Sequence, residues 1–239
     1  MHLMQNDDVG IDESAYYRIM STKASIVIQW FSPIKIVNWI IIILCCFLYG
    51  NTLLNGYNLD DELVTTAQND LVSRGVGALP DIFTTHYFEW NNYRGDYRPL
   101  VKASFAVEYQ FFGFNPMVSH FINLLLFVMI ALLSLRFLRQ VFPQINPYIS
   151  AAVVVLFVSH PVNTEVVASL KNRDELLSLL FMLLTFISAF KWLLDSKRVV
   201  LLSAILFFLL SLLSKMSSVT WLPVLVSVMI FNKTSRKKS

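Results

Sequence analysis

Apolar residues gather in six runs along this chain, and the segments between these runs are polar. A helix of about 20 apolar residues can cross the hydrocarbon core of a bilayer. The longer runs reach this length, and the shorter ones are flanked by residues that suit a membrane interface. We therefore predict an all-α fold, a polytopic transmembrane helical bundle of about six spans. The predicted spans are 36–54, 117–135, 148–159, 176–194, 199–213 and 219–231.

Two stretches of the long polar segment 56–115 show helical periodicity of their own. Apolar residues form a stripe over 63–72, which glycines and a proline then interrupt, and a second amphipathic stretch covers 100–112. We expect both to be short helices resting on the membrane surface. Residues 25–32 are apolar but too short to span, which predicts an interfacial helix. Residues 160–174 are predicted to be a polar loop.

The positive charges indicate which side of the membrane each segment occupies. Six spans place both termini on one side, and that side then holds 12 of the 19 Lys and Arg residues. Cytoplasmic loops are enriched in Lys and Arg, so both termini are predicted to be cytoplasmic. The tail 1–35 and the basic tail 232–239 then flank a transmembrane domain, 36–231. The loops 56–115 and 160–174 face the periplasm, the exterior or the lumen.

Composition narrows the class of protein. The chain is 56% hydrophobic and 15% charged, and its mean hydropathy is +0.58. Soluble domains carry more charge, about 25%, so membrane lipid is the predicted surrounding. The membrane is the plasma or inner membrane in a bacterium and the endoplasmic reticulum in a eukaryote. A net charge of +3 is too small to indicate nucleic-acid binding.

Acids and cations converge on the predicted outer face. An acid there could take the proton of an attacking hydroxyl, and cations could hold a leaving phosphate as its charge grows. Arginine binds phosphate through paired donors, and lysine acts as a point charge. These groups are Asp60, Asp61 and Glu62, then Asp96 and Arg98, then the segment from His160 to Glu175, and finally Lys215.

At these positions the sequence resembles the amino-terminal part of glycosyltransferases of the GT-C fold. It is most similar to the protein O-mannosyltransferase-like group that often carries tetratricopeptide repeats. The His-Pro-x-x-Thr-Glu block with the later Arg-Asp-Glu-Leu-Leu is the most specific part of the likeness. Four blocks carry it: Asn58-Leu59-Asp60-Asp61, Tyr97-Arg98-Pro99-Leu100, His160 to Val167 with Asn172 to Leu177, and Leu212-Leu213-Ser214-Lys215.

The resemblance implies a membrane glycosyltransferase with a polyprenyl- or dolichyl-phosphate sugar as donor and a hydroxyl as acceptor. It implies that Asp60 or Asp61 is the base of an inverting displacement. It also implies that Arg98, Arg173 and Lys215 lie near the donor phosphate. The residues expected to support them are Asp96, His160, Glu165 and Asp174.

Each of these residues also has a structural interpretation. Asp60 and Asp61 could cap a helix that begins beside them, because acids favour helix amino termini. Arg98 could be a snorkelling interfacial anchor. Arg173 and Asp174 could form an ion pair at the start of span four.

The remaining site residues leave similar alternatives open. His160, which precedes a proline, could cap span three, and Lys215 could be an anchor at the end of a span. Glu165 could be a solvated loop charge or a partner of the site. Asp60 and Asp61 could also bind a hard divalent cation through oxygen, and this stays open because two adjacent acids do not make a site.

Two other functions are consistent with a membrane bundle. A transporter would place ionisable groups near the middle of the bilayer, whereas the charges here gather at the surface. A truncated, non-catalytic membrane subunit or scaffold is the stronger alternative. It is suggested because the family resembled here has more spans, and because no repeat of about 34 residues occurs in this chain.

Overall fold

The computed structural model describes residues 33–58, 60–61, 65, 69–87, 89–90 and 93–238. The interfacial helix predicted at 25–32 and most of the stripe predicted at 63–72 lie outside these residues. The chain divides into two compact units, Met1–Ile40 and Ile41–Ser239. Of the first unit, only residues 33–40, the start of one helix, are described.

The described chain confirms the all-α prediction, with a helix at each of the six apolar runs. One two-residue antiparallel ladder interrupts the helices, β1 (Glu89–Trp90) paired with β2 (Tyr93–Arg94). The helices, numbered in chain order, are α1 (Pro33–Tyr49), α2 (Asp70–Ser73), α3 (Leu79–Ile82), α4 (Pro99–Phe112), α5 (Pro116–Val141), α6 (Pro147–Val158), α7 (Val162–Ala168), α8 (Arg173–Asp195), α9 (Arg198–Ser214) and α10 (Leu222–Lys238).

Several helices begin where the sequence supplies a cap and a proline. Asn115 and Asn146 accept the backbone N–H of Val118 (3.4 Å) and of Tyr148 (2.9 Å). A proline follows each asparagine at the first helical position, where a missing N–H costs nothing. These local signals fix the starts of α5 and α6.

Fewer helices are long enough to cross a membrane than the six spans that the sequence predicts. In the part of the chain that the structure describes, three helical stretches are long and apolar enough to cross a membrane: Lys35–Leu54, Pro116–Val141 and Leu170–Asp195. The pair formed by α6 and α7, bent by 68°, makes a fourth if it is one broken span. Helix α9 has 17 residues, and at 1.5 Å per residue it is shorter than a hydrocarbon core of about 30 Å. The count of six spans stays a prediction.

The segment predicted as the polar loop 160–174 is mostly helical. It contains α7, a 3₁₀ turn at Leu170–Asn172 and the first residues of α8. Nδ1 of His160 accepts the N–H of Val162 at 3.3 Å, so a side chain satisfies an amide at the start of α7. Helix α7 has only seven residues, about two turns, which is too short for helical periodicity to be recognised in the sequence.

The first loop is ordered by packing on α4, which confirms the amphipathic helix predicted at 100–112. Ala103 and Ala106 of α4 form a small core with Ala78 and Ile82 from the other side of the loop. A 3₁₀ turn at Gly75–Ala78 follows α2, where the sequence predicts a break. The loop is therefore a folded cap on the bundle.

Helix α8 is the centre of the bundle. It packs mainly against α5 and α9, and its apolar stretch is the most deeply buried of the three long ones. Oγ of Ser178 lies 2.6 Å from Oγ of Ser218, and Ser211 donates to the carbonyl of Ser178 at 2.9 Å. Hydrogen bonds of this kind between helices replace the hydrophobic effect inside a bilayer. They fix the chain around Lys215 against the first turns of α8.

Candidate functional site

The two adjacent aspartates have opposite environments. Asp61 is fully buried, and its carboxylate accepts the backbone N–H of Asn58 (3.1 Å) and of Lys171 (2.8 Å). Ser169 adds a longer hydrogen bond of 3.4 Å. Asp60 has 61% of its side chain exposed and forms an ion pair with the ammonium of Lys171. Asp61 therefore joins the first loop to the start of α8, and Asp60 faces solvent beside it.

The backbone carbonyl of Asp61 accepts the N–H of Thr65 at 3.0 Å, as in the first turn of a helix. Glu62, the third acid of this run, lies outside the described residues, as do the amides that a capping carboxylate would accept. The helix-capping interpretation of Asp60 and Asp61 therefore stays a prediction.

Asp174 is the centre of a second cluster. Its Oδ2 accepts from Arg98 and, at 3.1 Å, from Nζ of Lys215. Its Oδ1 accepts the N–H of Glu175 at 2.7 Å. The side chain of Asp174 is only 2% exposed. Two cations from opposite ends of the chain therefore meet at one buried carboxylate.

Two exposed carboxylates complete this cluster. Asp96 binds the other terminal nitrogen of Arg98 at 2.5 Å, and Glu175 pairs with Lys215. Their side chains are 69% and 48% exposed. Lys171 lies in the 3₁₀ turn that precedes α8 and Asp174 is the second residue of α8, so residues only three positions apart in the chain hold the two clusters.

An aromatic ring supports Arg98 from beneath. The guanidinium carbon lies 5.3 Å from the centroid of the Tyr87 ring. Burial raises the pKa of Tyr87, and the charge of Asp174 adds to this effect. Burial alone would lower the pKa of Arg98, but Asp96 and Asp174 outweigh it and the pKa is raised. Arg98 is thus a fixed cation and not a flexible anchor.

Arg173 does not reach the polar surface where it was expected to meet a phosphate. It is fully buried and donates to Oε2 of Glu108 (2.7 Å), Oδ1 of Asn123 (2.8 Å) and the carbonyl of Ser119 (3.0 Å). Its guanidinium carbon lies 3.7 Å from the centroid of the Phe105 ring. These contacts tie α4, α5 and α8 together, and they do not include the predicted pair with Asp174.

His160 and Glu165 are exposed and stand apart from the Asp174 cluster. Nδ1 of His160 accepts the N–H of Val162 in the first turn of α7, and not a group of span three, which its structural interpretation had it cap. The carbonyl of Glu165 accepts the N–H of Ser169 at 3.0 Å, and its carboxylate acts electrostatically on Lys171. Glu165 therefore contributes negative charge beside Asp60, whereas His160 shapes the turn between α6 and α7.

Sequence reasoning missed Lys171 and the buried partners of Arg173. Asn123 offered a signal, because an amide inside an apolar span generally faces the bundle and finds a partner there. Glu108 gave none, because one acid in an amphipathic helix resembles a surface charge. Lys171 was visible only as one more cation in a polar segment.

An apolar cleft adjoins the cluster. Its volume is about 180 Å³, and it lies between α5, α6, α7 and α8. The carboxylate-bearing residue Glu175 lines it, together with Asn163 and Ser178. Seven apolar residues form the rest of the lining: Phe127, Ile130, Phe157, Val166, Leu176, Leu179 and Trp221.

The acidic pair is a poor set of ligands for a divalent cation. Both carboxylate oxygens of Asp61 already accept N–H donors, and Asp60 is paired with Lys171. Among the described residues, no three His, Cys, Asp or Glu side chains are grouped as metal ligands. We therefore derive no step that passes through a metal.

Comparison with known proteins identifies related chains. Protein O-mannosyl-transferase Tmtc1 of Drosophila melanogaster is 30% identical over 180 residues, which is 72% of this chain and 20% of that protein. Protein O-mannosyl-transferase TMTC2 of Mus musculus is 30% identical over 154 residues, 60% of this chain and 17% of its own length. The predicted resemblance to the protein O-mannosyltransferase-like group is confirmed.

Another member of the group, Protein O-mannosyl-transferase TMTC3 of Mus musculus, is 30% identical over 143 residues, 59% of this chain and 15% of that protein. The chain thus spans about a fifth or less of the length of these relatives. No family model matches the chain, and no solved structure matches it.

Proposed function

We propose that this chain is a membrane glycosyltransferase, or a part of one, that transfers a sugar from a polyprenyl-phosphate donor to a hydroxyl of a protein acceptor. One observation carries the proposal: an exposed carboxylate, Asp60, and two cations, Arg98 and Lys215, are bound by Lys171 and Asp174, which lie three residues apart where α8 begins. This pairing of an acid with cations is what glycosyl transfer from a lipid phosphate needs. The names of the relatives support the reaction class.

Asp60 is the proposed base. Its side chain is accessible, whereas Asp61 is enclosed by N–H donors. Asp60 takes the proton of the acceptor hydroxyl while that oxygen forms a bond to C1 of the sugar. The bond between C1 and the phosphate oxygen breaks, its electron pair leaves with the phosphate, and the anomeric configuration inverts. Lys171, as the present partner of Asp60, must release the carboxylate for this step.

Arg98 and Lys215 are the proposed phosphate-binding groups. Both are partly exposed, and each keeps N–H donors that a phosphate oxygen can accept. The phosphate gains negative charge as the sugar leaves, so cations there stabilise the transition state more than the ground state. Arg173 has a different proposed role, which is to hold α4 and α8 in register beneath the site.

The apolar cleft beside Glu175 is the proposed binding site for the isoprenoid chain of the donor. Its lining is aromatic and aliphatic, and burial of apolar chain segments there is favourable. A lipid lying in it would bring its phosphate towards Lys215, which pairs with Glu175 at the edge of the cleft. The site then faces the exterior, the periplasm or the lumen, in accordance with the charge asymmetry of the sequence.

The test is transfer of labelled hexose from a polyprenyl-phosphate hexose to protein in membranes that contain the full-length protein. We expect Asp60→Asn to lower transfer by about 10²–10⁴-fold, the usual contribution of a general base. The matched control is Asp81→Asn, because Asp81 is also an exposed, ion-paired acid of the first loop, with Arg74 at 2.7 Å. Unchanged transfer by Asp60→Asn would show that Asp60 is not the general base. Absence of transfer by the unmodified protein would favour a non-catalytic subunit.

A further inference from the structure

The cluster around Asp174 carries more negative than positive charge as it stands. Three carboxylates, Asp96, Asp174 and Glu175, surround the two cations Arg98 and Lys215. An anion that approached this arrangement would meet a net negative site. A phosphate can be bound there only if some carboxylates move away from the cations.

Burial separates the three carboxylates into two kinds. Asp174 is 2% exposed, is fixed by the N–H of Glu175 and contacts both cations. The side chains of Asp96 and Glu175 are 69% and 48% exposed, and each contacts a single cation. Exposed ion pairs contribute little to stability because water replaces them readily, whereas a buried pair is costly to break.

We propose that Asp174 is a positioning residue that holds Arg98 and Lys215 side by side, and that Asp96 and Glu175 are counter-ions that a lipid phosphate displaces. The identity of the anion rests on the proposed function. The exchange itself rests on the contacts described here.

The donor geometry allows this exchange without loss of the buried contacts. Arg98 uses NH1 for Asp174 and NH2 for Asp96, so NH2 becomes available when Asp96 turns into solvent. Lys215 has three N–H donors, and release of Glu175 frees one while Asp174 keeps another. Each cation then gives one donor to the phosphate and one to Asp174.

The exchange also balances charge. A polyprenyl-phosphate sugar is a phosphodiester with one negative charge. With Asp96 and Glu175 turned away, the two cations face that charge and the charge of Asp174. The net charge of the group changes from negative to neutral, which favours the phosphate-bound arrangement in a region of reduced dielectric constant.

The proposal predicts opposite effects within one cluster. Binding of a polyprenyl-phosphate hexose to the full-length protein in nanodiscs is measured, with the uncharged polyprenol and inorganic phosphate as separate probes. We expect Asp174→Asn to weaken binding of the polyprenyl-phosphate hexose by more than about tenfold. Asp96→Asn and Glu175→Gln should each tighten it by about two- to fivefold, because each removes a competing carboxylate. Asp81→Asn should bind as the unmodified protein does.

A loss of fold is distinguished by the melting temperature in the same nanodiscs and by binding of polyprenol. If Asp174→Asn does not fold, the direction of the change in binding affinity for Asp96→Asn and Glu175→Gln decides whether the proposal holds. Weaker binding in both, or unchanged binding in a folded Asp174→Asn, overturns the proposal. Competition by inorganic phosphate would place recognition in the headgroup, and failure to compete would assign it to the lipid as a whole.

Kinetics separates this proposal from the proposed function. If sugar transfer occurs, Asp174→Asn should raise KM for the donor more than it lowers kcat, and Asp60→Asn should lower kcat. If no transfer is found but binding follows the predicted signs, the anion exchange stands and the enzyme assignment falls. If transfer occurs but binding does not change in the predicted directions, the enzyme assignment stands and the anion exchange falls.

Discussion

The backbone N–H of Lys171 lies 2.8 Å from Oδ1 of Asp61, and this hydrogen bond joins positions 110 residues apart in the chain. The same lysine uses its ammonium for Asp60. One residue at the start of α8 thus holds both members of the acidic pair through different groups, and it gives the two acids different roles.

Replacing Asp61 by Asn should destabilise the fold. Both carboxylate oxygens accept N–H groups, and an amide can offer an oxygen to only one of them. The other N–H would face a donor and stay unsatisfied, at a cost of about 1–3 kcal/mol. Thermal unfolding in detergent measures the change, and Asp81→Asn is the control. A melting temperature equal to that of the control would contradict the role of Asp61.

Glu108→Gln should be more damaging, because it leaves the charge of Arg173 buried without a charged partner. Breaking a buried ion pair costs about 3–5 kcal/mol. Glu165→Gln, at an exposed glutamate, should stay within about 0.5 kcal/mol. The double variant Glu108→Leu with Arg173→Met should recover much of the loss, since it removes both charges. Additive losses in the double variant would show that the pair is not coupled.

The serine contact between α8 and the segment after α9 should be measurable as a coupling energy. Oγ of Ser178 and Oγ of Ser218 lie 2.6 Å apart in a buried position. A double-mutant cycle with Ser178→Ala and Ser218→Ala should give about 0.6–1.7 kcal/mol, the range found between membrane helices. A coupling energy near zero would mean that each serine hydroxyl forms another hydrogen bond when the other serine is replaced.

Tyr87 should make stability fall at alkaline pH. Burial raises the pKa of its hydroxyl in the folded state above the usual value for tyrosine. At pH values below the usual pKa of tyrosine, the contribution of Tyr87 to the free energy of unfolding is fully present. At higher pH the unfolded chain releases the Tyr87 proton while the folded chain keeps it, so the free energy of unfolding declines. Unfolding measured at pH 8 and at about pH 11 should show a smaller decline for Tyr87→Phe. Equal declines would contradict this.

The helical fold was readable from the sequence because hydrophobic runs, prolines and asparagine caps act locally. Pro116 after Asn115 illustrates this, since both signals occur within two residues. The number of true spans was not readable, because helices such as α9 are apolar but short. Length against bilayer thickness decides that question, and hydropathy alone does not.

The site was predictable as a set of polar blocks but not as individual roles. Asp60 and Asp61 are chemically identical neighbours, and only a partner 110 residues away determines which is buried. Arg173 and Arg98 were expected to act alike. Arg173 forms a buried ion pair with Glu108 of α4, whereas Arg98 is held near the surface by Asp174. Such differences arise from tertiary contacts, which leave no trace in local spacing.

The central place of α8 also determines when the site can form during synthesis. Asp61 is made long before Lys171, Arg98 precedes Asp174 by 76 residues, and Lys215 comes later still. The first loop therefore emerges from the ribosome without the groups that will neutralise and hold it. Its contacts with these groups can form only after α8, α9 and Lys215 have been synthesised. A chain that ended before Lys215 would lack the second cation that Asp174 holds.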